Sequence, residues 1–139
     1  MAKKILIMGL PGSGKTSLAK LLAPMFNAVL LNEDEIRKEA NAFDYSEIGR
    51  SIQTNRMKRL ADEAIQNNRN VGADFVCPTE HTREDFKADY IIWMDTIKES
   101  KLEPPKNFDF KVTHKDAQMF SFLIKQEILD KLKGLGPHD

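Results

Sequence analysis

The stretch KKILIMGLPGSGKTS, Lys3 to Ser17, decides how the rest of the chain is read. Ile5–Met8 is a near-continuous apolar run, the pattern of a strand covered on both faces. Gly9, four further residues and then Gly14-Lys15-Thr16 fit G-x-x-x-x-G-K-(S/T). An amphipathic stretch follows, with Leu18, Leu21, Leu22 and Met25 as its apolar positions. Strand, glycine-rich loop and helix in that order make an anion nest. Backbone N–H groups converge in the loop, and the helix adds its positive N-terminal end. Gly9, Leu10, Pro11, Gly12, Ser13, Gly14, Lys15, Thr16 and Ser17 are therefore expected to hold the phosphates of a nucleoside triphosphate. Lys15 supplies a cation for the β- and γ-phosphates, and the Thr16 hydroxyl is placed to ligate Mg²⁺, so ATP and Mg²⁺ are the implied cofactors.

Working outward, four more apolar or β-rich runs stand out: Ala28–Leu31, Val71–Val76, Tyr90–Met94 and Phe108–Val112. Helical stretches are expected over Lys15–Phe26, Tyr45–Asn67 and Asp116–Lys133, the last with Phe120, Ile124 and Ile128 on one stripe. Strands alternating with helices predict an α/β fold with a parallel sheet and helices on both faces. Ligands of such sheets bind at the carboxyl ends of the strands.

The second run ends in Asn32-Glu33-Asp34-Glu35, with Arg37 just beyond. A carboxylate at that sheet edge can orient Mg²⁺ or accept a proton from an attacking hydroxyl. The alternative is an ordinary acidic helix start that complements the helix dipole. On the long helix, Met57, Leu60, Ala61, Ala64 and Ile65 make an inward stripe that runs back through Gln53 and Arg50. A core-facing stripe that turns cationic at one end suggests a cleft, where Arg50 and the flanking Arg56 can hold an anionic substrate by paired hydrogen bonds. After the third run, Asp74 is a candidate outer or water-bridged Mg²⁺ carboxylate, Phe75 stacks on a base or packs, and Cys77 reads as a small buried residue. His81, His114 and His138 show neither metal-ligand spacing nor a nucleophile triad.

The bulk numbers bound this reading. With 139 residues the chain fits one domain, residues 1–139. A hydrophobic share of 41% with 30% charged residues is that of a globular protein rather than a disordered one. Formal net charge is zero, which argues against long nucleic acid as a partner. One cysteine permits no internal disulfide, favouring a reducing, cytoplasmic setting. The run ILIMGL is too short for a signal peptide or a membrane span, so no membrane association is expected.

Together these residues resemble the adenylylsulfate (APS) kinase family. GLPGSGKTS matches its loop G-L-(S/P)-G-(A/S)-G-K-(T/S). NEDEIR resembles its D-G-D-N-V-R, with Asp34 and Arg37 in place and Asn32 where the family has its first Asp. YSEIGRSIQTNR resembles F-S-x-x-x-R-x-x-N-x-x-R, keeping Ser46, Arg50 and Arg56 while Tyr45 and Gln53 differ. DFVCP corresponds to S-F-I-S-P, keeping Phe75 and Pro78. DYIIWMDT and EPPKNFDFKVT are similar to the family's late E-I-Y-L-D-T and E-x-P-x-x-P-E-I-x-x-x-T. The resemblance implies a three-layer P-loop NTPase fold with a five-stranded parallel sheet in the order 2-3-1-4-5. It also implies transfer of the ATP γ-phosphoryl to the 3′-hydroxyl of adenylylsulfate. Lys15 and Asp34 would be catalytic, Thr16 and Asp34 would hold the metal, and Asp34, Arg37, Arg50, Gln53, Phe75, Cys77 and Pro78 would bind the acceptor. A homodimer is a further expectation, since the family is often dimeric.

One stretch departs from the family, which carries a long Lys- and Arg-rich lid with K-G-L-Y-x-K-A-R and F-T-G. Here only a short segment, about 96–107, stands in its place, with Lys98 and Lys101 as its cations. Two other readings follow from the departures. One keeps the chemistry and changes the acceptor to a nucleoside, a metabolite or a polynucleotide end. The other is a nucleotide-binding module without catalysis.

Overall fold

A computed structural model describes residues 1–98 and 103–132. Five parallel strands form one sheet: β1 (Lys4–Met8), β2 (Val29–Asn32), β3 (Val71–Asp74), β4 (Tyr90–Met94) and β5 (Phe110–Val112). Their order is β2-β3-β1-β4-β5, that of the P-loop NTPase fold. The helices are α1 (Lys15–Met25), α2 (Glu33–Ala40), α3 (Glu47–Gln66), α4 (Glu80–Phe86) and α5 (Ala117–Lys131).

The central strand explains the three layers. In β1 successive side chains point to opposite faces. Ile5 and Ile7 join a core with Leu18 and Leu22 of α1, Phe26 at its C-cap, and Phe120, Ile124 and Ile128 of α5. Leu6 and Met8 join a second core with Ile36 of α2, Met57 and Ala61 of α3, and Phe86 of α4. Both faces of β1 are therefore dry, which is why the run reads as continuously apolar. β2 lies at the sheet edge, and its first three residues are only half-buried.

Several boundaries differ from expectation for local reasons. β3 stops at Asp74, because Phe75 already turns into the loop where Cys77 adopts φ 47°. β5 is confined to Phe110–Val112, the only residues in register with β4. Two helices were not among the expected helical stretches, although an acidic helix start was one reading of the Asn32–Glu35 cluster. The acidic cluster opens α2, capped by Asn32, whose side-chain oxygen accepts from the Glu35 N–H. α4 is seven residues long and carries a reciprocal Thr79/Thr82 capping box. Its one apolar anchor at the buried end is Phe86, too little to show a helical period in the sequence. α5 begins one residue later than expected, with Asp116 as its cap. Lys101, Lys133, His138 and the tail Gly134–Asp139 lie outside the described residues. Among the described residues, no helix is long and apolar enough to cross a membrane.

Candidate active site

Lys15, Asn32 and Asp74 stand at or just beyond the carboxyl ends of neighbouring parallel strands, so sheet topology brings them to one edge. The loop between β1 and α1 is tightly folded. A Cβ on Gly9 would lie 2.7 Å from Ser13 Oγ and 2.9 Å from Met94 Cβ, so only glycine fits without a shift. Gly14 starts α1 with φ +100°, the left-handed region open to glycine. The Ser13 N–H donates to the Leu10 carbonyl at 3.1 Å, and the Thr96 hydroxyl donates to the Ser13 carbonyl at 2.8 Å. Lys15 Nζ donates to the Leu10 carbonyl at 3.0 Å, which curls the side chain back over the loop. Burial pushes the Lys15 ammonium below its ordinary range, and the carboxylates of Asp74, Glu33 and Asp34 oppose that effect.

Beneath the loop lies a three-residue network. The Thr16 hydroxyl donates to Asp74 Oδ2 at 2.8 Å. Asn32 Nδ2 donates to the same Asp74 oxygen at 2.8 Å and to Thr16 Oγ1 at 3.2 Å. Asn32 and Asp74 are register partners across β2 and β3, which places their side chains side by side. Burial raises the Asp74 carboxyl above the usual range, while the two hydrogen bonds and Lys15 pull it back.

A cleft of about 670 Å³ opens over this network. It is lined by Leu10, Pro11, Gly12, Gly14, Lys15, Thr16 and Ser17 on one side of the chain's chemistry. Asn32, Glu33, Asp34, Arg37, Tyr45, Arg50, Asp74, Val76, Pro78 and Lys115 complete its wall. The structure thus brings the loop, Asp34, Arg37, Arg50 and Pro78 to one cavity.

Not every residue singled out in the sequence reaches it. Phe75 is 2% exposed and packs edge-on against Phe86, ring centroids 5.2 Å apart, in the core under the sheet. Its aromatic ring is a packing element there. Cys77 is fully buried beside Thr82, and burial pushes its thiol up to about 11. Gln53 is buried too, donating to the Glu33 carbonyl at 3.3 Å and accepting from Arg56. It ties α3 to the start of α2 rather than facing the cleft. Gly9 and Ser13 shape the loop from beneath and are not in the cleft wall. Arg37 lines the cleft but is held on its inner side: Nη1 donates to the Ala42 and Asp44 carbonyls at 2.9 and 3.3 Å, and the guanidinium stacks on Tyr45 at 4.4 Å. Arg50 is exposed.

Sequence reasoning missed two residues. Lys115, from the loop before α5, lines both the cleft and an adjoining cavity of about 210 Å³ walled by Met94, Val112 and Phe120. It lies in no motif, and only the return of β5 beside β4 brings it to the loop. Buried Arg83 bonds the Cys77 and Glu103 carbonyls and Glu80, fastening the segment after residue 102 to the loop after β3.

The donor set suits magnesium. Among the described residues no three His, Cys, Asp or Glu side chains form a metal cage. Mg²⁺ bound with nucleotide needs none, because one or two hard protein oxygens plus phosphates suffice. The Thr16 hydroxyl and the carboxylates of Asp34 and Asp74 are oxygens of that kind, on one cleft wall.

Solved structures share the architecture. A variant of the Mycobacterium tuberculosis APS kinase CysC superposes with TM-score 0.78 at 23% identity, covering 96% of this chain and 98% of that one. The same enzyme in complex with AMPPNP and APS gives 0.75 at 20% identity, covering 96% and 98%. Shikimate kinase from Acinetobacter baumannii in complex with shikimate gives 0.64 at 16%, covering 96% and 97%. At such identities the likeness is one of fold, and the fold is that of P-loop kinases. No curated protein matches the sequence significantly. Residues 5–88, more than half of the chain, match the family described as AAA domain, and the chain belongs to that family.

Proposed function

We propose that the protein is an ATP-dependent small-molecule kinase, and that its acceptor is adenylylsulfate. The observation that carries the reading is one cleft lined both by Lys15 and Thr16 of the phosphate loop and by Asp34 at the start of α2. The backbone N–H groups of the loop and the N-terminus of α1 hold the phosphates. Lys15 offsets the charge that develops as the bond from the γ-phosphorus to the β–γ bridging oxygen breaks. Thr16 and Asp34 or Asp74 would hold Mg²⁺, which would supply further charge neutralisation on the phosphate oxygens. Asp34 orients the acceptor hydroxyl and takes its proton as the new oxygen–phosphorus bond forms and ADP leaves. Arg50 and Arg37 flank the acceptor's anionic group, and Pro78, Val76 and Tyr45 bound its less polar part. The resemblance of NEDEIR and YSEIGR to the adenylylsulfate kinase motifs supports this acceptor, as does the fold shared with APS kinase structures. Coupled detection of ADP with adenylylsulfate as acceptor tests it: no release above buffer removes the substrate assignment.

A second reading keeps the phosphoryl transfer and changes the acceptor. It is favoured by the placement of Phe75, Gln53 and Cys77 away from the cleft, and the fold is shared with shikimate kinase as well. A panel of hydroxylated metabolites and nucleosides, scored by ADP release, decides between the two.

A further inference from the structure

We infer that Arg83 is a positioning residue for the acceptor: it clamps the Val76–Pro78 wall of the cleft to residues 103–106, and so fixes the shape of the acceptor half without touching the acceptor. The inference rests on the acceptor reading above and deepens it. Arg83 does not itself line the cleft.

Arg83 lies on α4 and is 4% exposed. A guanidinium buried to that degree is costly to desolvate unless its donors are met. Here they reach three separate pieces of chain. Nε donates to the Cys77 carbonyl at 3.1 Å, Nη1 to Glu80 Oε1 at 2.7 Å, and Nη2 to the Glu103 carbonyl. The facing segment closes on the same places. The Glu103 N–H donates to the Pro78 carbonyl at 3.3 Å, and the Lys106 N–H donates to Glu80 Oε1 at 2.9 Å.

What the clamp holds is an unusual turn. Cys77 has φ 47°, in the left-handed region that a cysteine seldom takes. Its side chain is buried, while Val76 and Pro78 on either side of it line the cleft. Such a conformation persists only where its surroundings over-determine it. Arg83 is one brace, on the Cys77 carbonyl. Glu33 is the other: its Oε1 accepts from the Val76 N–H at 3.1 Å. Glu33 precedes Asp34, so the wall that Arg83 fixes is bonded to the start of the helix carrying the carboxylate that faces the acceptor hydroxyl. The planar fork of arginine spans Cys77 and Glu103 at once. A lysine ammonium on one stem can stay beside Glu80 but cannot bridge the two carbonyls in that geometry.

The test compares Arg83→Lys and Arg83→Met with the wild type, well below each melting temperature. Steady-state kinetics with ATP and adenylylsulfate give one readout, and amide hydrogen exchange without ligand gives the other. Arg83→Lys keeps its charge beside Glu80 and is expected to fold. Its acceptor KM is expected to rise about fivefold or more, the effect of losing a charged hydrogen bond, while the ATP KM stays within about twofold. The Val76, Glu103 and Lys106 amides are expected to exchange about tenfold or more faster, with the phosphate loop unchanged. Arg83→Met is expected to show the same pattern, enlarged; if it does not fold, Arg83→Lys decides alone. A merely structural arginine would lower the melting temperature and leave both KM values in place. That result overturns the inference, as does an Arg83→Lys protein whose Val76 amide exchanges at the wild-type rate, or one that does not fold at all. A wild type that binds nucleotide but does not phosphorylate adenylylsulfate refutes the acceptor assignment instead, and the exchange rates then decide the clamp.

Discussion

Gly49→Ala is a substitution for which helix propensity and structure give opposite signs. Gly49 lies in the first turn of α3, where its N–H donates to the Ser46 cap at 3.2 Å. Propensity alone favours alanine there by up to about 1 kcal/mol. The structure places a Cβ on Gly49 in direct clash with the Asp44 carbonyl oxygen, 2.6 Å from the Asp44 Cγ and 2.7 Å from its carbonyl carbon. Two of those three atoms are backbone, so no rotamer change relieves the clash. The loop has little freedom to retreat, because Arg37 holds the Asp44 and Ala42 carbonyls from behind and Ser46 N–H holds the Asp44 carboxylate at 2.9 Å. Overpacking of this kind costs about 1–3 kcal/mol, and a contact this short puts it at the upper end. Net of propensity, the variant should be destabilised by about 2 kcal/mol, a fall in melting temperature of roughly 4–10 °C for a domain of this size.

The same displacement moves Tyr45 and Arg50, which flank the clash in sequence and line the cleft. Thermal melting combined with steady-state kinetics is the assay. The acceptor KM should rise several-fold while the ATP KM stays unchanged, since the phosphate loop lies on other elements. A Gly49→Ala protein that melts at or above the wild type, with the acceptor KM intact, would refute the reasoning.

The remaining predictions separate structural from site residues. Phe75→Leu should lower stability by about 1–2 kcal/mol, as expected for a partly filled core site, and leave the acceptor KM unchanged; a changed KM with unchanged melting would put the ring in the cleft after all. Arg37→Met should cost about 3 kcal/mol, because two loop carbonyls lose a charged donor, whereas Arg50→Ala should shift stability by under about 0.5 kcal/mol and weaken an anionic acceptor; chemical denaturation and acceptor titration read both. Stability should also fall above pH 9. Cys77 is held protonated up to about 11 against an ordinary 9.0, and burial raises Tyr90 as well. A raised folded value means that the contribution is complete below the ordinary value and is lost as pH climbs towards the folded one. By pH 11 Cys77 alone should account for about 2 kcal/mol, checked by urea titrations of the wild type and Cys77→Ala across that range.

What the sequence disclosed depended on how local each feature is. The phosphate loop was legible because its chemistry lies in consecutive residues, and β1 because both its faces are buried. The sheet order came with the resemblance, and the inward stripe of α3 came from its 3.6-residue period, Met57 and Ala61 being fully buried. Phe75 and Gln53 lie away from the cleft for a different reason. Period and motif place a residue at the right height in the sheet, but they do not settle which side of the turn its side chain takes. At Phe75 the strand ends and the backbone is already on its way to the left-handed Cys77, so the ring drops onto Phe86 while Val76 and Pro78 face the cleft. Gln53 continues the buried stripe one turn further than the cleft requires, and its amide meets the Glu33 carbonyl first. Lys115 and the Asn32–Asp74 contact join residues far apart in the chain, and nothing local encodes them. Read one at a time, Asn32 looks like a lost carboxylate and Asp74 like a spare one. Side by side in register across two strands, they make a single charged unit beneath Thr16, so the departure at position 32 is not by itself evidence of a disabled site.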